Sequence, residues 1–280
     1  MTAWNEGPPT ALLAMTDWTD GVPPAPAPMP PWKDSVLRRF DAAADTYDHV
    51  AGTQRRIAEG LARRVLALPT AAHPEVLEIG CGTGALTACL GPRLPDCHWL
   101  ATDIAPRMVA ACARRTGTWA TPAVMDGEAP ALSGARFDLI VSSLAVQWFT
   151  DLPAGLRRLH GLLKPGGVLA VTTLGAGTFA EWRGLCEAAG MIPGTPDYPS
   201  AQALAAALGA GSRVHGEPFP LACADLRGFL DHLRLSGART AAPGRGGRSA
   251  AALGRLLRAW GPAPFTTTYD VLTVIWNKEP

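Results

Sequence analysis

The sequence predicts an α/β fold in which a doubly wound, mostly parallel sheet carries a helical insertion before its last strands. Short apolar runs alternate with helical stretches over residues 74–174, which is typical of a parallel sheet covered by helices on both faces. The pattern then becomes helical over residues 175–265 and alternating over residues 266–280, which favours an antiparallel strand at the sheet edge.

The predicted elements follow one another in a regular order. Residues 1–32 hold eight prolines and no lysine or arginine, which predicts a disordered extension of polyproline character. Residues 33–73 repeat apolar positions at three- and four-residue steps and predict two helices that Gly52 and Thr53 separate. Strands are predicted over 76–79, 98–102, 118–125, 137–143 and 168–174, and helices of the insertion over 179–189, 201–208, 225–235 and 249–260.

Composition excludes several classes of protein. The chain carries 25 basic and 24 acidic residues, a balance that argues against a general nucleic-acid binder. No apolar run approaches the ~20 residues that span a bilayer, so no membrane partner is expected. The six cysteines form no Cys-x-x-Cys pair and no cluster has zinc-ligand spacing, so we expect free thiols in the cytoplasm and no metal.

A glycine-rich turn follows the first predicted strand. Gly80, Gly82 and Gly84 let the backbone turn tightly and let a ligand approach the main chain, at the edge of the sheet where ligands of open parallel sheets bind. The dinucleotide fingerprint Gly-x-Gly-x-x-Gly needs its third glycine one position later. The spacing therefore favours a nucleoside ligand without a pyrophosphate over NAD.

Two carboxylates follow the next strands. Asp103 ends the second strand, where a carboxylate can accept both hydroxyls of a ribose, and Asp126 follows the third strand, where it suits an adenine amino group. Asp103 alone is also explained as a carboxylate that accepts the amides at the start of the next helix. Three signals at three successive strand ends favour the nucleoside site.

These segments together resemble the class I S-adenosylmethionine-dependent methyltransferases. Residues 76–84 are similar to the first motif of that class, Asp103 and Asp126 occupy its ribose and adenine positions, and residues 163–167 are similar to the turn before its fifth strand. The resemblance implies a methyltransferase domain over residues 33–280 with S-adenosylmethionine as cofactor. The implied cofactor site contains Glu78, Gly80, Cys81, Gly82, Gly84, Asp103, Ile104, Asp126, Gly127 and Ser143.

Segments outside this core resemble a narrower family, the malonyl-[acyl-carrier protein] O-methyltransferases of biotin synthesis. The similar segments are residues 40–54, 143–148, 173–179 and 235–240. The resemblance implies methylation of the free carboxylate of malonyl-[acyl-carrier protein], which gives the methyl ester that primes pimeloyl synthesis. A malonyl carboxylate is ionised at pH 7, so it can attack the methyl group without a general base, and catalysis then depends on proximity and orientation.

Candidates for the acceptor side are less specific. Tyr47 either lies near the reacting methyl group or packs an amphipathic helix onto the sheet. Gln147 and Trp148 follow the fourth strand, where acceptors bind, although Trp148 is equally explained by packing. Eight arginines and three acidic residues lie between positions 213 and 258. Among them, Arg255 and Arg258 are candidates to bind the acceptor carboxylate or an acidic carrier protein, or else form a solvated basic helix face.

Three other functions compete with this hypothesis. A small-molecule O- or C-methyltransferase would share the core and differ in the insertion. A methyltransferase-like assembly factor would use the same fold to recognise a protein partner. An NAD-dependent reductase is disfavoured by the glycine spacing and by the absence of a Tyr-x-x-x-Lys constellation.

Overall fold

The computed structural model describes residues 29–94, 96–235 and 250–280, and in these ranges the chain forms one seven-stranded sheet flanked by helices. The strands are β1 (Glu75–Ile79), β2 (His98–Asp103), β3 (Ala120–Val124), β4 (Phe137–Ser143), β5 (Leu163–Leu174), β6 (Ser212–Cys223) and β7 (Phe265–Asn277). The helices are α1 (Pro31–Ala43), α2 (Tyr47–Val50), α3 (Gly52–Leu66), α4 (Ala85–Leu90), α5 (Pro106–Thr116), α6 (Leu152–Gly161), α7 (Ala180–Ala188), α8 (Ala201–Leu208), α9 (Leu226–Leu235) and α10 (Ala250–Trp260). None of the described helices is both long and apolar enough to cross a membrane.

The strand order is β3-β2-β1-β4-β5-β7-β6. Strands β1 to β5 run parallel, and β7 pairs antiparallel with both of its neighbours. The order of the chain reverses between β1 and β4, so their carboxyl ends open the crevice in which ligands of such sheets bind. The predicted fold class is confirmed.

The central strands are apolar on both faces because helices cover both. Val76 of β1 is buried in a layer with Leu61 and Val65 of α3, whereas the next residue, Leu77, is buried in the opposite layer with Leu156 of α6. Successive side chains of a strand point to opposite faces, so one strand supplies both hydrophobic layers. A third hydrophobic cluster joins β7 to the helices α7, α9 and α10.

The N-terminal helices differ from the prediction. Gly52 and Thr53, predicted to separate two helices, are the first residues of α3, and the chain turns earlier, around α2. The first amides of a helix have no intrahelical partner, so a glycine is tolerated there. Helix α1 begins at Pro31, inside the predicted extension, because proline suits a first helical position. Residues 1–28 of that extension lie outside the described residues.

The predicted helical insertion contains a strand that the sequence analysis missed. Strand β6 pairs with β7 along its whole length, so β7 is an interior strand and not the predicted sheet edge. Gly216, Pro218 and Pro220 interrupt the apolar pattern of β6 and are typical of loops. An edge strand tolerates proline because one side of its backbone needs no partner.

Candidate active site

A cleft opens at the carboxyl ends of β1, β2 and β4, beneath α1 and α2. The space between its lining residues is about 710 Å³, part of it open to solvent. A smaller cavity continues from it along α3 and shares Tyr47, Gly80, Gly82 and Ser143 with it. Nine of the ten predicted cofactor residues line one cavity or both, namely Glu78, Gly80, Cys81, Gly82, Asp103, Ile104, Asp126, Gly127 and Ser143.

The glycine-rich turn has the geometry for which only glycine is suited. Gly80 has a φ of +68°, and a Cβ atom there would lie 2.1 Å from the Cβ atom of Ala145. The Cys81 amide donates to the carbonyl of Thr102 at 2.8 Å, which fixes the turn against β2. Gly84, the remaining predicted cofactor residue, does not line the cleft: it precedes α4, and a Cβ atom there would lie 3.1 Å from the Sγ atom of Cys112. Gly84 instead allows α4 to pack closely against α5.

Asp103 fixes the turn to the end of β2. Its Oδ2 atom accepts the Gly82 amide at 2.9 Å and its Oδ1 atom accepts the Ala105 amide at 2.9 Å. Burial raises the pKa of Asp103, and the two amides partly offset that rise. The helix-capping contact considered from the sequence is therefore present. It does not exclude a ligand, because each carboxylate oxygen accepts a further hydrogen bond.

Asp126 is held by a lysine that the sequence analysis did not select. The Nζ atom of Lys33 lies 2.7 and 2.6 Å from the two carboxylate oxygens of Asp126 and 2.8 Å from Oε2 of Glu128. Only 6% of the Lys33 side chain is exposed. Neither residue spacing nor composition identifies this contact, because 93 residues separate Lys33 from Asp126.

Three aromatic side chains that pack against one another line the cleft. The ring of Phe40 lies edge-on to Tyr47, at 6.2 Å between centroids, and to Trp148, at 5.9 Å. Burial, together with the nearby carboxylates of Asp103 and Asp48, raises the pKa of Tyr47 above its usual range. Tyr47 thus lies in the cleft and also packs against neighbouring rings, so both interpretations made from the sequence remain.

Gln147 and Trp148 occupy different environments although they are adjacent. Trp148 lines the cleft, and its buried Nε1 atom has no hydrogen-bond partner among the described residues. Gln147 is not among the residues that line it: its Nε2 atom donates to the carbonyl of Leu144 at 2.7 Å. The structure therefore brings only Trp148 of this pair to the predicted site.

Asp48 fastens α2 to the glycine turn. It accepts the hydroxyl of Thr83 at 2.6 Å and forms an ion pair with Arg115. Burial acts to raise the pKa of Asp48, but the hydrogen bonds from Thr83 and Arg115 outweigh it and the pKa is lowered. The ionised carboxylate thus holds Tyr47, the preceding residue, beside the cleft.

Glu78 lies beneath the glycine turn. Its Oε2 atom accepts the Thr87 hydroxyl at 2.7 Å and the Trp99 indole N–H at 3.0 Å. Burial raises the pKa of Glu78 to about 8. The side chain also lines the smaller cavity, so its predicted contact with a cofactor remains a prediction.

Beyond the cleft, α9 and β7 contribute a buried polar pair that the sequence analysis missed. The Nε2 atom of His232 lies 2.7 Å from the hydroxyl oxygen of Tyr269. Burial lowers the pKa of His232 and raises that of Tyr269. Arg255 and Arg258 lie on the exposed part of α10 and do not line the described cleft.

Comparison with known proteins identifies the family to which the chain belongs. A family model described as a methyltransferase domain matches residues 77–169, from β1 into β5. The malonyl-[acyl-carrier protein] O-methyltransferase of Magnetococcus marinus is 41% identical over 240 residues, which cover 83% of this chain and 88% of that protein. The chain belongs to the malonyl-[acyl-carrier protein] O-methyltransferase family. This membership confirms the predicted resemblance, the enzyme class and its cofactor, S-adenosylmethionine.

A second relative of this O-methyltransferase family is longer. The biotin biosynthesis bifunctional protein BioCD of Bordetella avium is 41% identical over 244 residues, which cover 87% of this chain but 52% of that protein. This chain thus spans about half the length of that relative.

Similarity of structure extends beyond the O-methyltransferase family. The [4+2]-cyclase SpnF has a TM-score of 0.57 and 15% sequence identity, with coverage of 92% of this chain and 98% of SpnF. Identity this low shows the fold alone, and the name of that protein illustrates that one fold carries different activities.

The cleft of this O-methyltransferase family member fits its cofactor. The carboxylates of Asp103 and Asp126 suit hydroxyl and amino donors, which a ribose and an adenine present. A Cβ atom at Gly127 would lie 2.2 Å from Ile79 Cγ2, so the chain after β3 passes close to the end of β1 there. Lys33, the one cation that lines the larger cavity in the described ranges, is already paired with two carboxylates. The lining thus suits a nucleoside better than a pyrophosphate.

Proposed function

We propose that the protein transfers a methyl group from S-adenosylmethionine to the free carboxylate of malonyl-[acyl-carrier protein]. The observation that carries the proposal is the 41% identity to an O-methyltransferase named for that substrate, over 88% of its length. The name of the bifunctional relative supports a place in biotin biosynthesis for the methyl ester.

Different residues of the cleft would bind different parts of the cofactor. Asp103 would accept the ribose hydroxyls, Asp126 would accept the adenine amino group, and the backbone at Gly80 and Gly82 would face the methionine portion. Bound there, the cofactor supplies an electrophilic methyl group. The chain contributes a preformed site, because the Gly82 and Ala105 amides already fix the carboxylate of Asp103.

The acceptor needs orientation more than activation. A malonyl carboxylate is ionised at neutral pH and is itself the nucleophile, so no side chain has to remove a proton. Tyr47 is protonated at neutral pH, as burial moves its pKa further above the ordinary value, and its hydroxyl would donate a hydrogen bond at the reaction centre. The rings of Phe40 and Trp148 exclude water from that part of the cleft.

The carrier protein requires a surface next to the cleft. Arg255 and Arg258 lie on the exposed side of α10, in a segment where arginines outnumber acidic residues. Complementary charge steers association and increases the rate of encounter with an acidic carrier. We propose that these two arginines act on the carrier protein, since they do not line the described cleft and so are poorly located to hold the reacting carboxylate.

Mass spectrometry of the acceptor tests the proposal directly. The protein is incubated with S-adenosylmethionine and malonyl-[acyl-carrier protein], with acetyl-[acyl-carrier protein] as the matched acceptor that lacks a free carboxylate. We expect the mass of one methylene group to appear on the malonyl acceptor alone. Methylation of both acceptors, or of neither when the cofactor binds, would contradict carboxyl methylation of a malonyl group.

A further inference from the structure

We propose that Lys33 is a positioning residue that holds Asp126 in the orientation that recognises the adenine amino group, and thereby couples this recognition to the docking of α1 over the cleft. The inference deepens the proposed function and rests on it, because Asp126 receives its role there. It assigns a specificity-determining role to a side chain 93 residues away in the sequence.

Two carboxylates balance the charge of Lys33. An ammonium group that is withdrawn from water needs compensation, and Lys33 has two carboxylate partners at 2.6 and 2.8 Å. The side chain also lies near the aromatic ring of Phe149, with 5.9 Å between Nζ and the ring centroid. Lys33 is therefore fixed on several sides, which a surface lysine is not.

The hydrogen bonds at Asp126 leave part of its carboxylate free for a ligand. A carboxylate offers about four acceptor positions. Among the described residues, Oδ1 accepts from Lys33 and from the Glu128 amide, whereas Oδ2 accepts only from Lys33. Asp126 lines the cleft and 27% of its side chain is exposed. Oδ2 thus keeps one position for a donor in the cleft, and Lys33 determines where that position points.

Glu128 fixes the position of Lys33. Its Oε1 atom accepts the amides of Thr150 and Asp151 at 2.8 and 3.0 Å, and its Oε2 atom accepts from Lys33. Glu128 does not line the cleft. It therefore fixes Lys33 to the loop after β4, and Asp126 alone of the two carboxylates faces a ligand.

Helix α1 is attached over the cleft near both of its ends. Val36 and Phe40 follow Lys33 on this helix and line the same cleft. At the other end of α1, the carboxylate of Asp41 accepts the Arg107 amide at 2.8 Å. Lys33 thus attaches the N-terminal end of α1 next to Asp126. The same side chain orients Asp126 and holds the helix that covers the cleft.

Ligand discrimination tests this role without any measurement of catalysis. Calorimetry compares S-adenosylhomocysteine with an analogue in which hydrogen replaces the adenine amino group. The natural protein should prefer the amino ligand about tenfold or more, since a hydrogen bond to a charged acceptor is lost in the analogue. Lys33→Met should lower affinity for the amino ligand and bring the preference close to one, with little change for the analogue. Arg38→Ala, an exposed change on the same helix, should keep the full preference.

The outcomes separate the two proposals. If Lys33→Met lowers the affinity for both ligands by the same factor, the variant has lost only the packing of α1, and the positioning role is overturned. Equal binding of both ligands by the natural protein overturns it as well and leaves the proposed function standing, whereas no binding of either ligand overturns both. Where Lys33→Met does not fold, Lys33→Arg retains the charge but alters the geometry. A reduced preference in that variant supports the role, and an unchanged one counts against it.

Discussion

The glycine turn and the rest of the molecule around the cleft are built by different means. At the turn, the carboxylate of Asp103 is fixed by the main chain, through the bonds from the Gly82 and Ala105 amides. Elsewhere, polar side chains from distant elements meet through packing, as Lys33 and Asp126 do in the cleft and as His232 and Tyr269 do beyond it. A site fixed by the main chain is set by a short segment of sequence, whereas a site fixed by packing depends on the whole fold.

The largest expected effect comes from a change within the glycine turn. Gly80→Ala places a Cβ atom 2.1 Å from that of Ala145 at a positive φ, so the backbone must move. We expect the loss of measurable S-adenosylhomocysteine binding by calorimetry. Gly117→Ala is the control: its φ is also positive, at +61°, but a Cβ atom there meets nothing within 4 Å.

The control separates strain from steric exclusion. Gly117→Ala should lower the free energy of unfolding by about 1–3 kcal/mol and leave the binding constant within about twofold. Similar loss of binding in both variants would show that general strain, and not the local geometry of the turn, is responsible.

The next effect tests the charge at the end of β2. Asp103→Asn introduces an N–H donor where the carboxylate accepts two amides, and it removes the negative charge. We expect cofactor affinity to fall about a hundredfold, which is the loss of one or two charge-assisted hydrogen bonds. Asp45→Asn, an exposed change at the partner of Arg107, should leave affinity unchanged in the same calorimetric titration. An unaltered affinity for Asp103→Asn would remove this residue from the site.

This difference in construction also explains what the sequence predicts. The parallel core and the residues of the glycine turn are identified from short segments, because strand period and glycine spacing are local properties. The pairing of Lys33 with Asp126 is not, because it arises when α1 folds across the sheet. Strand β6 was missed because its prolines and glycine are those of a loop, and only its long partner β7 makes it a strand.

A smaller effect depends on pH and concerns the buried carboxylate of Glu78 beneath the glycine turn. The pKa of Glu78 is raised to about 8, so the folded protein keeps its proton while the unfolded chain loses it near pH 4.5. This contribution to stability is complete below the unfolded pKa and is lost as pH rises towards 8. In urea unfolding between pH 5 and 8, the free energy of the natural protein should fall relative to Glu78→Gln, by on the order of 2 kcal/mol.

Glu181 of α7, which does not line the described cleft, should respond with the opposite sign. Burial acts to raise its pKa, but its own amide and the groups of Thr267 and Thr268 outweigh this and lower it. Its contribution is therefore present above the unfolded pKa and is lost as pH falls. The free energies of unfolding of Glu181→Gln and the natural protein should differ by a constant amount above pH 5 and converge as pH falls below it, and a difference that stays constant into acid would refute the lowered pKa.

The smallest expected effect concerns encounter with the carrier. Arg255→Glu combined with Arg258→Glu reverses two exposed charges on α10, which should raise KM for malonyl-[acyl-carrier protein] several-fold at low salt. The effect should shrink as ionic strength rises, because salt screens charges at the surface. Activity on a small malonyl thioester should be unchanged, since neither arginine lines the described cleft. Arg114→Glu, an exposed reversal on α5, is the matched control. Equal loss on carrier and thioester would mean that α10 supports the cleft itself, and the regions built by packing would then depend on exposed residues as much as on buried ones.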